Sequence, residues 1–354
     1  MADNLNLLVV EDSEPEIGEW KKAVERHNVA KDRQFDLEVT YASSKSDAEK
    51  KIRTHRFDAA VVDLRLKLDG VAHGQNDDGN EVVKTLAAGE MAAVAVYTGQ
   101  RADVAKFDSP NIVVLEKGLG LDVAFKWLNK QWSIIVAVQK ANFIIGSDMA
   151  RTFHRSVWPR WQQWQEGEKG HEMVVLPLAR HFVSHVYTQL IHQSERVHPE
   201  EHYYVPPVLK NQLSTGDLVR SPGGIVEVII TPRCDCAHAE KVQTVQLAAC
   251  ADISEKWKAL VEANSANSQK EMEKYKQHER KEVQHFIPAM TFEPGKVLGP
   301  WFVRFDKVRS VEKTSEEYKA LLGNRFASIS TDFLPSLVQR LGTFFSRFGA
   351  PDLL

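Results

Sequence analysis

Three cysteines in 354 residues are too few for a disulfide framework. They fit a reducing compartment, and a cytoplasmic chain is the expectation. Long apolar runs are missing too. The most apolar helix-like stretch, Ile134 to Ile145, is interrupted by Gln139 and Lys140, so no membrane span is read. The run Leu5 to Val10 is short and has neither a basic leader nor a cleavage site, so no export signal is expected there. Charge of one sign is also scarce: 45 Lys and Arg nearly balance 48 Asp and Glu, a formal net charge of −3. That balance argues against a whole-chain grip on nucleic acid. No P-loop, catalytic-triad spacing or convincing helix-turn-helix stands out in the second half of the chain. What is present is ordinary for folded domains, 43% hydrophobic and 26% charged residues, which excludes wholesale disorder and leaves room for two domains or three small ones.

The first 120 residues are the most informative. Leu5 to Val10 reads as a buried strand ending in Glu11 and Asp12. A helix follows from Glu14 to about His27, with Ile17, Trp20 and Val24 spaced three to four apart. Leu37 to Tyr41 predicts a strand, Ser44 to His55 a helix with a Ser-rich cap, and Ala59 to Val62 a strand ending in Asp63. Val82 to Leu86 suggests a short helix, Ala92 to Tyr97 a strand ending in Thr98, and Ile112 to Leu115 a strand with Lys117 just beyond. Strands alternating with helices predict a parallel sheet covered on both faces. Right-handed crossovers put all strand C-termini on one edge, where open α/β sheets bind ligands. Glu11, Asp12, Asp63, Thr98 and Lys117 therefore converge on one rim.

Clustered carboxylates repel one another unless a cation neutralises them. Oxygen-only donors with positions left for water and phosphate suit Mg²⁺ or Mn²⁺ better than zinc. One accessible carboxylate beside the metal can attack a phosphoryl group and form an acyl phosphate. A lysine ammonium and a threonine hydroxyl can hold the transferring oxygens.

Val9-Val10-Glu11-Asp12-Ser13, Val61-Val62-Asp63-Leu64, Tyr97-Thr98-Gly99 and Glu116-Lys117 resemble the receiver domain of two-component response regulators, over about residues 4 to 130. The resemblance implies a flavodoxin-like fold with sheet order 2-1-3-4-5. It implies phosphorylation of Asp63, Mg²⁺ held by Glu11 or Asp12, Asp63 and the backbone carbonyl of Arg65, a phosphate contact from Lys117, and Thr98 as the switch hydroxyl. It also implies a sensor histidine kinase or phosphotransfer protein as partner in a phosphorelay. The chain departs from the family pattern in several places. Gly118 stands where proline commonly follows the lysine, Leu115 occupies the usual aromatic switch position, and a polar insert, Ala72 to Gly79, follows Leu66-Lys67-Leu68-Asp69-Gly70. The stretch from Thr98 to Ser109 is short for a full fourth helix. An atypical output face is expected. Asp77 and Asp78 of the insert could add metal ligands or gate the site, but the Gly and Asn flanks favour a solvated loop.

Beyond Leu121 a helix pattern continues to about Gly146, with Leu121, Phe125, Leu128, Trp132, Ile135 and Val138 on one face. It could pack on the sheet and run onward as a connector or a homodimer stripe. Trp158, Trp161 and Trp164 recur every third residue and are expected to form a buried helix face. Glu172 to His192 predicts another helix, with His181 and His185 four apart on one face. That pair could bind metal, but no third ligand follows at a recognisable spacing.

After Pro206-Pro207 the pattern turns to short strands with glycine turns, Thr215 to Val219, Ile225 to Ile230, Val242 to Ala249, Phe286 to Pro288 and Trp301 to Val311. They predict an α+β domain with a small barrel or half-barrel core. Glu255 to Glu282, charged with alternating sign, predicts an exposed helix and a loop. Phe326 to Phe348 reads as one amphipathic helix with Phe333, Leu337, Leu341 and Phe345 as its stripe. Cys234, Cys236, His238 and Cys250 make a candidate second metal site, although Cys-x-Cys matches no strong finger spacing. Asp235 with Arg233 could instead form a polar site or an ion pair. Thr231-Pro232-Arg233-Cys234-Asp235 resembles a Thr-Pro-x-Cys-Asp segment of uncharacterised prokaryotic proteins with receiver domains, some suspected in phage defence, and names no reaction. The expected organisation is a receiver over 1–130, a helical connector over 131–205 and an output domain over 206–354. Two alternatives remain open: a receiver that restrains a hydrolase or nuclease in the C-terminal half, and a scaffold that keeps the acids without turning over phosphate.

Overall fold

The computed structural model describes residues 3–66, 78–99, 104–105, 112–165, 171–192, 197–221, 223–238, 240–277, 284–293 and 295–347. The chain divides into two compact units, Met1–Gln193 and Ser194–Leu354.

The first unit is built on five strands, β1 (Asp3–Val10), β2 (Phe35–Ala42), β3 (Ala59–Val62), β4 (Ala93–Thr98) and β5 (Val113–Glu116). All pair in parallel in the order β2-β1-β3-β4-β5, the flavodoxin-like arrangement expected from the sequence. Both faces are covered, which is why the strands read as continuous apolar runs. On one face Leu8, Val10, Val62 and Val96 pack with Ile52 of α2 (Lys45–Thr54) and with Val82, Val83 and Leu86 of α3 (Asp78–Gly89). On the other, Leu7, Val9, Val61 and Tyr97 pack with Trp20 of α1 (Glu14–Val29) and with Ala124, Trp127 and Leu128 of α4 (Asp122–Thr152). Ser44 caps α2 by accepting the Asp47 backbone N–H at 3.2 Å.

α3 is longer than the apolar core Val82 to Leu86 suggested, because it begins at Asp78. Asp78 is thus helical rather than part of a solvated loop. Most of the polar insert, Asp77 included, and Ser109 lie outside the described residues.

The helix after Leu121 reaches Thr152, well past Gly146. It continues into a π-helical turn (Phe153–Val157), a 3-10 turn (Trp158–Arg160) and a short α5 (Trp161–Gln165). α6 (His171–Ile191) then packs back on α4. This segment corrects one expectation. Trp158 and Trp161 are 67% and 39% exposed and do not form a buried face. The change from π-helical to 3-10 winding around Pro159 breaks the regular turn that a three-residue repeat needs to stay on one side. Residues 131–193 fall within the first of the two compact units.

The second unit is a curled, antiparallel half-barrel of seven strands, ordered β10-β13-β9-β8-β7-β14-β6. The strands are β6 (Tyr203–Tyr204), β7 (Asp217–Arg220), β8 (Val226–Ile229), β9 (Thr244–Asp252), β10 (Gln284–Ile287), β13 (Trp301–Glu312) and β14 (Arg325–Ile329). A hairpin, β11 (Met290–Glu293) with β12 (Lys296–Leu298), stands apart. β6 pairs with β14, so the strand structure of this unit starts before the Pro206-Pro207 boundary. One face of the sheet carries Leu218, Val228, Val303 and Phe305, the other Val219, Ile229, Val245 and Leu247. The charged stretch after Glu255 forms two helices, α8 (Ser254–Ala263) and α9 (Ala266–Lys276), joined at Asn264 with φ of +38°. Two further elements depart from expectation. Thr231 to His238 contains a helical turn, α7 (Arg233–Ala237). Phe326 to Phe348 is not one helix: Arg325–Ile329 is strand β14, paired with β7, and only Leu334–Phe345 is helical, as α11. Between them α10 (Glu316–Gly323) leads into β14. Phe333, Leu337 and Leu341 pack on the half-barrel core as the stripe requires, but Phe344 rather than Phe345 joins them. Phe345 is 63% exposed.

Candidate functional site

The parallel registers Val10↔Val62 and Val62↔Val96 align the ends of β1, β3 and β4. Backbone hydrogen bonds carry the alignment one residue further, from Glu11 N–H to the Ala42 carbonyl and from Asp63 N–H to the Val10 carbonyl, both 2.9 Å. Glu11 and Asp63 therefore sit side by side, 2% and 8% exposed. Carboxylate oxygens of Glu11, Asp12 and Asp63 all lie within 4.8 Å of one another. Lys117, just past β5, closes the group: its Nζ donates to Glu11 Oε2 at 2.7 Å and to Asp63 Oδ2 at 3.0 Å.

Burial pushes the carboxyls of both Glu11 and Asp63 above their ordinary range. For Glu11 the Lys117 hydrogen bond works against that rise and the Asp63 charge adds to it. For Asp63 the Lys117 charge and hydrogen bond, with the backbone N–H groups of Arg65 and Leu64, hold it partly down. Burial also opposes the charge on Lys117, but the Glu11 hydrogen bond and the charges of Asp63 and Glu11 outweigh it, so its ammonium stays protonated well above neutrality. One cation thus serves two crowded carboxylates, an arrangement that leaves negative charge for a second cation.

Thr98 ends β4, is 3% exposed and stands opposite Glu116 in the β4–β5 register. Arg65 follows in the loop after β3, and its backbone N–H ties that loop to the Asp63 carboxylate. Three neighbours went unread in the sequence. Glu16 Oε2 lies 3.6 Å from Lys117 Nζ. The Tyr97 ring lies 5.7 Å beneath the same ammonium and meets Trp20 edge-on at 6.1 Å between centroids. Strand alternation could have found Tyr97, since it shares the Ala95 face toward α1 and α4. Gly79 is the third. A Cβ there would lie 2.3 Å from the Asp63 carbonyl oxygen and 2.5 Å from Leu64 Cα. The start of α3 can approach the Asp63 loop only as glycine, and Gly79 N–H donates to the Leu64 carbonyl at 3.3 Å.

The second constellation is not gathered into a donor cluster. The only group of three or more metal-ligating side chains among the described residues is Glu11, Asp12 and Asp63. Cys236 and Cys250 pack on opposite faces of the half-barrel sheet. Burial pushes the Cys236 thiol up to about 11 and raises Cys250 further, so neither is a ready thiolate ligand. Cys234 is exposed, with its sulfur 3.7 Å from Asp235 Oδ1. His238 Nδ1 pairs with Glu240 at 2.8 Å. The Lys313 ammonium binds the backbone carbonyls of Asp235 and His238 and so caps the turn that carries these residues. His181 and His185 do share a face, with ring centroids 4.4 Å apart, and no third ligand joins them among the described residues.

No family model matches the chain, and no curated protein matches it. Among solved structures, the N-terminal part is similar to response regulator receiver domains. One is the receiver domain from Methylobacillus flagellatus, at 21% identity over 37% of this chain and 98% of that one, TM-score 0.29. Another is a response regulator protein from Thermotoga maritima in complex with Mg²⁺ and BeF, at 20% identity over 36% and 97%, TM-score 0.28. A third is a response regulator protein from Burkholderia pseudomallei with a phosphorylated aspartic acid, a calcium ion and citrate, at 20% identity over 51% and 97%, TM-score 0.27. The fold assignment rests on the strand order and registers given above.

Proposed function

We propose that the first unit is a response regulator-like phosphoacceptor and that the chain is a signalling protein in which modification of Asp63 controls the C-terminal half. The observation that carries this reading is Lys117 bridging Glu11 and Asp63 inside a cluster that also includes Asp12. The donor set fits a hard divalent cation, since it is all oxygen and short of positive charge. Glu11 or Asp12, Asp63 and the Arg65 carbonyl would hold Mg²⁺ or Mn²⁺. When bound, the ion would supply charge neutralisation for the carboxylates and the phosphoryl oxygens.

In the proposed step an Asp63 carboxylate oxygen attacks the phosphorus of a phosphohistidine or small acyl phosphate. A new O–P bond forms, and the bond to the leaving group breaks with its electron pair. Lys117 exchanges its hydrogen bond to Asp63 Oδ2 for one to a phosphoryl oxygen, and the Thr98 hydroxyl donates to another. A sensor histidine kinase or phosphotransfer protein is the donor this chemistry calls for. With Leu115 at the position next to Glu116, the response of β4 and β5 would run through Thr98 and Tyr97 rather than through an aromatic flip.

The same reading gives α4 a role. Ile134, Val138, Ala141 and Ile145 follow the 4-3-4 spacing of a helix-pairing stripe. Ile134 and Ile145 are 58% and 38% exposed, and a second copy of the chain is the proposed occupant. No helix among the described residues is long and apolar enough to cross a membrane, and the three thiols are free; a cytoplasmic location is proposed on that basis. The reading is tested by thermal melting of the full chain with MgCl₂, with and without BeF₃⁻ as a phosphoryl mimic. A rise in melting temperature that needs both ligands and is lost in Asp63→Asn supports it, by the linkage of binding to folding. The same rise in Asp63→Asn, or none in the parent chain, would overturn it.

A further inference from the structure

The helical segment beyond the sheet carries a second polar group that chemistry at Asp63 leaves unused. The π-helical turn Phe153–Val157 is a distortion that helices keep mostly where it re-aims side chains. It places Ser156, 7% exposed, against α6. Arg151 meets Gln189 at 3.2 Å and Ser156 meets His181 at 3.1 Å, so α6 runs antiparallel to the chain entering the turn. Between them lies a groove of about 440 Å³ whose lining includes Ser156, Arg160, Trp164, Val174, Pro177 and His181.

Two of the hydrogen bonds in this groove have a fixed direction. Arg160 Nη2 donates to Ser156 Oγ at 2.7 Å, and Arg160 Nε donates to the Ser156 carbonyl at 2.9 Å. Oγ thus accepts from arginine while it also meets His181 Nε2. Burial, then His185 and Arg160, hold the His181 imidazole below its ordinary value, so it is neutral near pH 7. The Trp164 ring meets His181 edge-on at 5.0 Å. Arg160 makes no ion pair among the described residues, and three of its five N–H donors remain for a ligand.

A guanidinium with no carboxylate partner among the described residues, set on a concave surface, attracts an anion, and its planar fork suits carboxylate and phosphate oxygens. Among its described lining residues the groove offers one fixed positive charge and a neutral imidazole, which matches a single negative charge. Trp164, Val174 and Pro177 supply the apolar wall that a flat organic body would cover. We propose that this groove binds a small organic monoanion, a carboxylate or phosphodiester head held by Arg160 with a flat apolar body against Trp164.

The test is isothermal titration of the full chain near neutral pH with sodium 1-naphthoate and, separately, with 3′,5′-cyclic AMP, so that the arms distinguish the two heads. Inorganic phosphate serves as the body-less control and 1-naphthylmethanol as the uncharged one. Saturable binding of one organic monoanion with Kd of about 1 mM or tighter is expected, weakened about tenfold or more in Arg160→Ala and also weakened in Trp164→Ala. Arg160→Lys keeps the charge without the fork and should fall between, which preserves the test if the alanine variant misfolds. Binding of neither monoanion, equal binding by Arg160→Ala that melts normally, or equal binding of 1-naphthylmethanol would overturn the proposal.

Discussion

A missing side chain at position 79 decides how closely α3 can approach the Asp63 loop. Gly79 packs on the Asp63 carbonyl and on Leu64 with no room for a methyl group, and the obstacles are backbone atoms that cannot rotate away. Gly79→Ala should therefore cost about 3 kcal/mol of stability, at the upper end for overpacking, and displace the Asp63 loop. Denaturant melts should show that loss, with BeF₃⁻ and Mg²⁺ no longer raising the melting temperature. A neutral substitution that keeps the ligand response would show the contact to be loose. The residues of the site were legible at this scale for a physical reason. Glu11, Asp12, Asp63, Thr98 and Lys117 each follow an apolar run, and a parallel sheet sends all such positions to one rim. Gly79 was not legible, because the insert preceding it hides which glycine meets the loop.

Between elements, an ion pair buried at its glutamate end ties the half-barrel together across β9. Glu227 on β8 and Arg309 on β13 flank β9 on either side. Arg309 Nε and Nη2 donate to the two Glu227 oxygens at 2.7 and 2.6 Å, and Ser221 Oγ donates to Oε2 at 2.6 Å. Burial of Glu227 works against its charge, but these donors outweigh it and hold its carboxyl below the usual glutamate value. A carboxyl depressed in the fold contributes stability above its unfolded value of 4.5 and loses that contribution as pH falls through the folded value. Glu227→Gln should destabilise the chain by about 2 kcal/mol at pH 7, and the gap to the parent should close as pH drops below the ordinary glutamate range. Chemical denaturation at several pH values measures this. A gap independent of pH would mean that the pair contributes only shape.

The elements of the first unit were readable because helix and strand periods alternate cleanly there. β14 was not. Residues 325–329 share apolar content with the helix that follows, and only pairing with β7 decides between the two periods. The Trp158-Trp161-Trp164 repeat misled for a related reason, since a regular spacing implies one face only while the helix keeps a constant turn.

For the whole molecule, about a third of the chain is interpretable by resemblance and the rest by physics alone. The half-barrel was foreseen as a class, because short strands with glycine turns close on themselves, but its register and its capped Arg233–Ala237 turn depend on long-range pairing that no local pattern encodes. The outward stripe on α4 makes a prediction at this scale. Sedimentation of the full chain should show a dimer that Ile145→Glu converts to monomer, because a charge within such a stripe is buried without a partner. A parent chain that sediments as a monomer at high concentration would remove the proposed pairing.

Peptide mapping by tandem mass spectrometry after incubation with acetyl phosphate tests the central reading most directly, comparing Mg²⁺ with EDTA. A single phosphoryl group on Asp63, formed only with Mg²⁺, is the expected result. Modification at another residue, or none on Asp63 in a folded chain saturated with Mg²⁺, would contradict it.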